Sequence, residues 1–264
     1  MSTTATSPRF IGAARELLDR VEDQEPAIGR AVEVCARAIG GGGLVHVFGT
    51  GHSRIAVEEL FPRYGSYPGF HPLVELSMTF HTQVVGANGQ RQAMFIERVE
   101  GLAERILENF ELAPPDAMLV FSVGGGTAVP IEMAAGAQRR GLPVIAVTAA
   151  QARPPLLDHA DVVLDLCTPP GDALVRLEGL DTPVGPGSTI AAVALANELK
   201  VRTAAVLQAQ GALPPVITSP TVVGPGRSAE LFDGAYAEHA RRFARVLRGA
   251  VPHHEEEEDG SPNQ

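Results

Sequence analysis

Residues 44–53 read Leu44-Val45-His46-Val47-Phe48-Gly49-Thr50-Gly51-His52-Ser53, and their pattern decides the fold class. The first half, 44–48, is short and mostly apolar, the signature of a strand covered on both faces. The second half is a glycine-rich turn, and a helix is expected from Ser53 onward. Gly49 and Gly51 let the backbone approach an anion, and amides at a helix start point toward it. The Thr50 and Ser53 hydroxyls add neutral donors, and His52 sits in the same loop. In an open parallel sheet such loops fall at the carboxyl ends of the strands, where ligands bind. Two better-known anion loops do not fit. A P-loop needs Gly-Lys-Ser/Thr, and the dinucleotide fingerprint needs a third glycine where Arg54 stands.

The same grammar recurs downstream. Residues 118–123 read as a strand leading into Ser122-Val123-Gly124-Gly125-Gly126-Thr127, and 128–140 as a helix with Pro130 in its first turn and Gly141 and Pro143 as stops. Further strands are expected at 144–147 and 161–166, and long helices at 188–208 and 229–247. A third glycine-rich segment, 183–189, opens the alanine-rich helix with Ser188 and Thr189, which suit either a cap or a ligand contact. Upstream, Leu17, Leu18, Val21, Ile28, Ala31, Val32 and Cys35 recur at helical spacing, as one helix or as two broken near Pro26, before the run 40–43 of glycines. Strands alternating with helices imply an α/β fold, an αβα sandwich with a five-stranded, mainly parallel sheet. The expected division is a disordered 1–9, one domain over 10–250 and a disordered acidic tail over 251–264.

Composition narrows the function classes. The chain has 264 residues and a net charge of -10, which disfavours nucleic acid and anionic membranes as partners. It contains no apolar run long enough to span a bilayer and no cationic start followed by an apolar stretch, so a cytoplasmic location is expected. Cys35 and Cys167 lie in apolar segments and read as buried thiols. No His-x-x-x-His or Cys-x-x-Cys spacing occurs, so neither a metal nor another cofactor is expected.

These segments resemble the SIS (sugar isomerase) domain, a flavodoxin-like fold found in phosphoheptose isomerase, glucosamine-6-phosphate synthase and N-acetylmuramic acid 6-phosphate etherase. The likeness runs through 47–53, 58–60, 95–101, 129–134, 169–175, 185–189 and 214–219. It implies a phosphosugar ligand, with Gly49, Thr50, Gly51, His52, Ser53, Ser122, Gly124, Gly125, Gly126, Thr127 and Ser188 as binding residues. One departure stands out: SIS loops usually read Ser-x-Ser-Gly at the second site, and here the second hydroxyl is replaced by Gly124.

Isomerisation of an aldose phosphate, or elimination across C2–C3, begins by removing a proton beside a carbonyl and needs a placed base. Glu59 lies in a Glu-Glu-Leu segment resembling the one that supplies a catalytic glutamate in phosphoheptose isomerase, offset by about one helical turn. Glu97 belongs to a segment resembling the etherase's, on an expected amphipathic helix with Ile96, Val99, Ala103 and Ile106 as its stripe. Glu75, Glu100, His52 and His81 are the other candidates, and Asn197 and Glu198 are expected to line the site. The leading expectation is an isomerase or lyase acting on a phosphorylated sugar or amino sugar, and the alternative is a non-catalytic phosphosugar sensor. Apolar helices at both ends of the domain suggest a homodimer or larger assembly.

Overall fold

Five strands form one parallel sheet in the computed structural model, which describes residues 9–60, 62–79 and 89–247. These are β1 (Val45–Gly49), β2 (Phe70–Pro72), β3 (Ala117–Phe121), β4 (Val144–Thr148) and β5 (Val162–Asp165), ordered β2-β1-β3-β4-β5. Every neighbouring pair is parallel. Side chains alternate between the two faces, as the period of two demands. Val45, Val47, Leu119, Phe121, Ile145 and Val147 pack on one side, and Phe48, Met118, Val120, Val144 and Ala146 on the other. β1, β3 and β4 are buried along their whole length, so the alternation carries no polar face.

Helices cover both faces. The first face meets α1 (Phe10–Glu22), α2 (Glu25–Gly40) and α3 (Arg54–Glu59) through Leu17, Ile28, Val32, Cys35 and Val57. A short α4 spans Leu76–Thr79. The segment expected as one amphipathic helix through Glu97 is instead two, α5 (Gln90–Ile96) and α6 (Leu102–Leu107). Gly101, at φ 82°, turns the chain between them in the left-handed region that favours glycine. On the second face α6 and α7 (Ala128–Arg139) pack through Ala103, Leu107, Val129, Met133 and Ala137. The long α8 (Ser188–Ala209) returns to the first face through Ala191, Leu195 and Leu199. Burying a side chain of this size contributes about 1.5–3 kcal/mol.

Pro26 sits in the first turn of α2, where a missing N–H is tolerated, so the N-terminal stretch is two helices. The fifth strand, β2, went unread because it spans only three residues and ends in Pro72 at the sheet edge. At the other edge, the Gln24 side chain pairs with β5 like a strand backbone, donating to Asp165 O at 2.8 Å and accepting from Asp165 N at 2.7 Å. Also unforeseen is the antiparallel pair β6 (Ala173–Val175) and β7 (Val184–Pro186), placed just before α8. The chain ends with α9 (Pro220–Val223) and α10 (Pro225–Ala244). Cys35 and Cys167 are both free and buried, and burial pushes the Cys35 thiol up to about 12. The ends read as disordered, 1–9 and 251–264, fall outside the described residues except for Arg9, and so does His81. Among the described residues no helix is long and apolar enough to cross a membrane.

Candidate functional site

β1 and β3 are neighbours whose last residues pair, Gly49 with Phe121, so the loops that follow them leave the sheet side by side. Gly49 is required by space, since a Cβ there would lie 2.9 Å from Ser53 O. The first loop closes as a 3-10 turn over Gly51–Ser53 before α3 begins at Arg54, not at Ser53. Ser53 stands at the N-cap position of α3 and makes no side-chain capping hydrogen bond. In the second loop the Ser122 hydroxyl accepts from Gly125 N at 3.2 Å, and Gly125 adopts φ 55°. A hydroxyl accepting in this way keeps its hydrogen for a further bond. Thr127 stands at the N-cap of α7 without a side-chain cap bond.

The two loops share one cavity of about 370 Å³, lined also by Gln90, Ala93, Met94 and Glu97. Glu97 is the C-cap of α5. Thr50, buried in the first loop, donates its hydroxyl to Glu97 Oε2 at 2.7 Å. Two backbone donors tie the same turn to α7: Val129 N donates to Glu97 O at 3.0 Å, and Gly101 N reaches both Glu132 oxygens at 3.0 and 2.9 Å. The carboxylate is thereby held against the first loop, while the turn that carries it is tied to the helix following the second.

The remaining wall comes from the β6–β7 hairpin and the start of α8, through Asp172, Pro186, Ser188 and Thr189. Asp172 holds a positive φ of 69°. Its Oδ1 accepts from Gly187 N at 3.1 Å and Ser188 N at 2.7 Å, and its Oδ2 from the Ser188 hydroxyl at 2.6 Å. Ser188 therefore lines the cavity with its hydrogen already committed.

The family model described as the SIS domain matches residues 9–149. The chain belongs to the SIS-domain family. A UPF0309 protein of Streptomyces coelicolor is 34% identical over 237 residues, covering 85% of this chain and 92% of that protein. One from Streptomyces avermitilis is 33% identical over 238 residues with the same coverage. Among solved structures, a phosphoheptose isomerase from Francisella tularensis aligns with a TM-score of 0.50 at 16% identity, over 74% of this chain and 94% of that one, a likeness of fold. The SIS match ends just after β4, so Asp172 and Ser188 lie beyond it.

Within this SIS domain the sequence candidates separate. Gly51, His52, Ser53, Gly124, Gly125, Gly126 and Thr127 line the cavity together with Thr50, Ser122, Glu97 and Ser188. Glu59 is not among the lining residues. It accepts from Arg63 at 2.9 Å and lies 3.8 Å from Lys200 Nζ, at the far end of the short α3. Lys200 itself is buried and donates to Glu59 O at 2.7 Å. Burial lowers the Lys200 pKa, against the pull of the Glu59 carboxylate. Glu75 is also outside the cavity, capping α4 through Met78 N at 2.8 Å and Ser77 Oγ at 2.8 and 2.9 Å. Glu100 is exposed and Asn197 bonds back to Val193 O, while Glu198 lies 3.8 Å from Arg202; none of them lines the cavity. Missed entirely were Gln90, Ala93 and Met94, which stand on a short helix without a motif, and Asp172 as a capping carboxylate. No group of three or more His, Cys, Asp or Glu among the described residues is arranged to hold a metal.

Proposed function

We propose that this cavity holds the phosphate of a sugar or amino-sugar phosphate on the loops at 49–53 and 122–127, and that Glu97 moves a proton at the carbon beside the sugar's carbonyl. The reaction is then an aldose–ketose isomerisation or an elimination. One observation carries the reading: two glycine-rich strand-to-helix loops from adjacent parallel strands open onto one cavity, and the only glutamate lining it among the described residues is hydrogen-bonded to one of them. Glycine-rich loops with backbone amides and hydroxyls suit a phosphate without any lysine or arginine. The Thr50 bond to Oε2 orients the carboxylate, leaving Oε1 to take the proton. The phosphate anchor holds the sugar in place, which is where much of the rate advantage of a positioned base arises.

The test is hydrogen exchange in deuterated water across a panel of sugar phosphates. A productive substrate exchanges its C2 hydrogen with wild-type protein, and Glu97→Gln lowers exchange by about 10²–10⁴-fold, the usual contribution of a general base, while the dissociation constant moves little. Full exchange by Glu97→Gln sinks the assignment. Binding of several sugar phosphates without exchange of any would instead make the domain a phosphosugar sensor.

A further inference from the structure

The described residues lining the cavity include two carboxylates, Glu97 and Asp172, one imidazole, His52, and neither lysine nor arginine. Asp172 also alters the third glycine-rich segment. Its carboxylate already takes the Gly187 and Ser188 amides and the Ser188 hydroxyl, so the donors at the start of α8 are occupied from within while the carboxylate keeps its charge. A helix N-terminus answered by its own aspartate does not attract a second anion. A ligand phosphate on the other two loops would then share a cavity of about 370 Å³ with two negative side chains.

We infer that Asp172 is a specificity-determining residue: it restricts the site to sugar monophosphates whose other end carries no second anion, and favours an ammonium there over a hydroxyl. The inference rests on the phosphate-binding reading above and names the charge class of its ligand. Charges separated by about the width of such a cavity, at an effective dielectric near 20, interact strongly enough to change binding on the order of tenfold. A carboxylate beside a sugar phosphate's second phosphate is repulsive on that scale, and beside a protonated amine attractive.

Matched ligands test it by calorimetry on the full chain. Fructose 1,6-bisphosphate should bind wild-type protein about tenfold or more weaker than fructose 6-phosphate, and glucosamine 6-phosphate several-fold tighter than glucose 6-phosphate. Both contrasts should shrink in Asp172→Asn. Asparagine keeps the Oδ1 acceptor and tolerates the positive φ that Asp172 adopts, so the wall should remain folded. Should that variant unfold, Glu97→Gln supplies the second arm, because charge contrasts that persist without Glu97 and narrow with rising salt are left to Asp172. Equal binding within each wild-type pair, or contrasts that a folded Asp172→Asn or added salt leaves untouched, would overturn the inference. Failure of every sugar phosphate to bind would defeat the phosphate reading itself, a different outcome from binding without charge selection.

Discussion

Gly124 and Gly125 are neighbours with opposite reasons for being glycine. Gly125 holds φ 55°, and a Cβ on it would lie 2.8 Å from both Pro154 Cγ and Thr148 Oγ1. Nothing lies within 4 Å of a Cβ placed on Gly124, which faces the cavity. Gly125→Ala combines left-handed backbone strain with a steric clash, and should cost about 2–4 kcal/mol of stability in urea unfolding. Gly124→Ala should leave stability within about 1 kcal/mol and weaken sugar-phosphate binding, because the methyl group occupies the ligand's approach. If both variants lose stability alike, the division of labour within the loop is wrong. The string of three glycines marks an anion loop but cannot say which residue shapes it and which yields space. The glutamates pose the same difficulty. Glu59 and Glu97 both sit in segments that resemble catalytic ones, yet the length of α3 and the turn at Gly101 decide which reaches the cavity.

At the scale of elements, the sheet's amino end is tied to the C-terminal helix by a buried polar chain. His46 on β1 meets His71 on β2 with their Nδ1 atoms 3.0 Å apart, and its Nε2 lies 3.3 Å from Asp116 Oδ2. Asp116 also accepts from Leu44 N at 2.8 Å and from Arg245. Arg242 of α10 donates to Ile39 O and Gly43 O, both at 2.7 Å, and the His71 ring packs on Phe243 at 4.6 Å. Burial first, then the neighbouring His46 and His239, pull the His71 pKa down to about 3. His71 is therefore neutral in the fold, while in the unfolded chain it takes a proton near pH 6.5. The folded state thus binds fewer protons in this window, and stability falls as pH drops from about 6.5 toward 3, by up to about 1.4 kcal/mol per pH unit. Urea unfolding between pH 7.5 and 5 should show this slope, and His71→Gln should flatten it. An unchanged slope in that variant would remove His71 as its source. Such a chain has no sequence signature, because its members come from two strands, a loop and the last helix. By contrast β1, β3, β4 and α7 were legible, since apolar runs and glycine punctuation are local. β2 and the β6–β7 pair are held by register with distant partners, and short strands of that kind leave almost no local pattern.

For the molecule as a whole, assembly is the remaining expectation, and the surface gives it a physical motive. Among the described residues, large apolar side chains stand exposed on α1, α5, α8 and α10: Ile11 at 67%, Phe95 at 72%, Val201 at 65% and Tyr236 at 54%. Phe232 stacks on Tyr236 at 4.6 Å with both rings still partly open. Scattered apolar residues are ordinary on a surface, so no one of them decides the matter. Stacked aromatics one turn apart, with Val222 of the preceding short helix 74% exposed, are the composition of an interface core more than of a rim. Closed homo-oligomers are the common solution for such faces, and a stable pair buries on the order of 1,200–2,000 Å² in total. Light scattering at micromolar concentration should therefore give at least twice the 27.7 kDa of one chain. Raising the salt should leave that mass in place, since an apolar contact is not screened as ion pairs are. A clean single-chain mass at micromolar concentration would refute assembly, and dissociation by salt alone would shift its cause from these apolar faces to the exposed charge pairs.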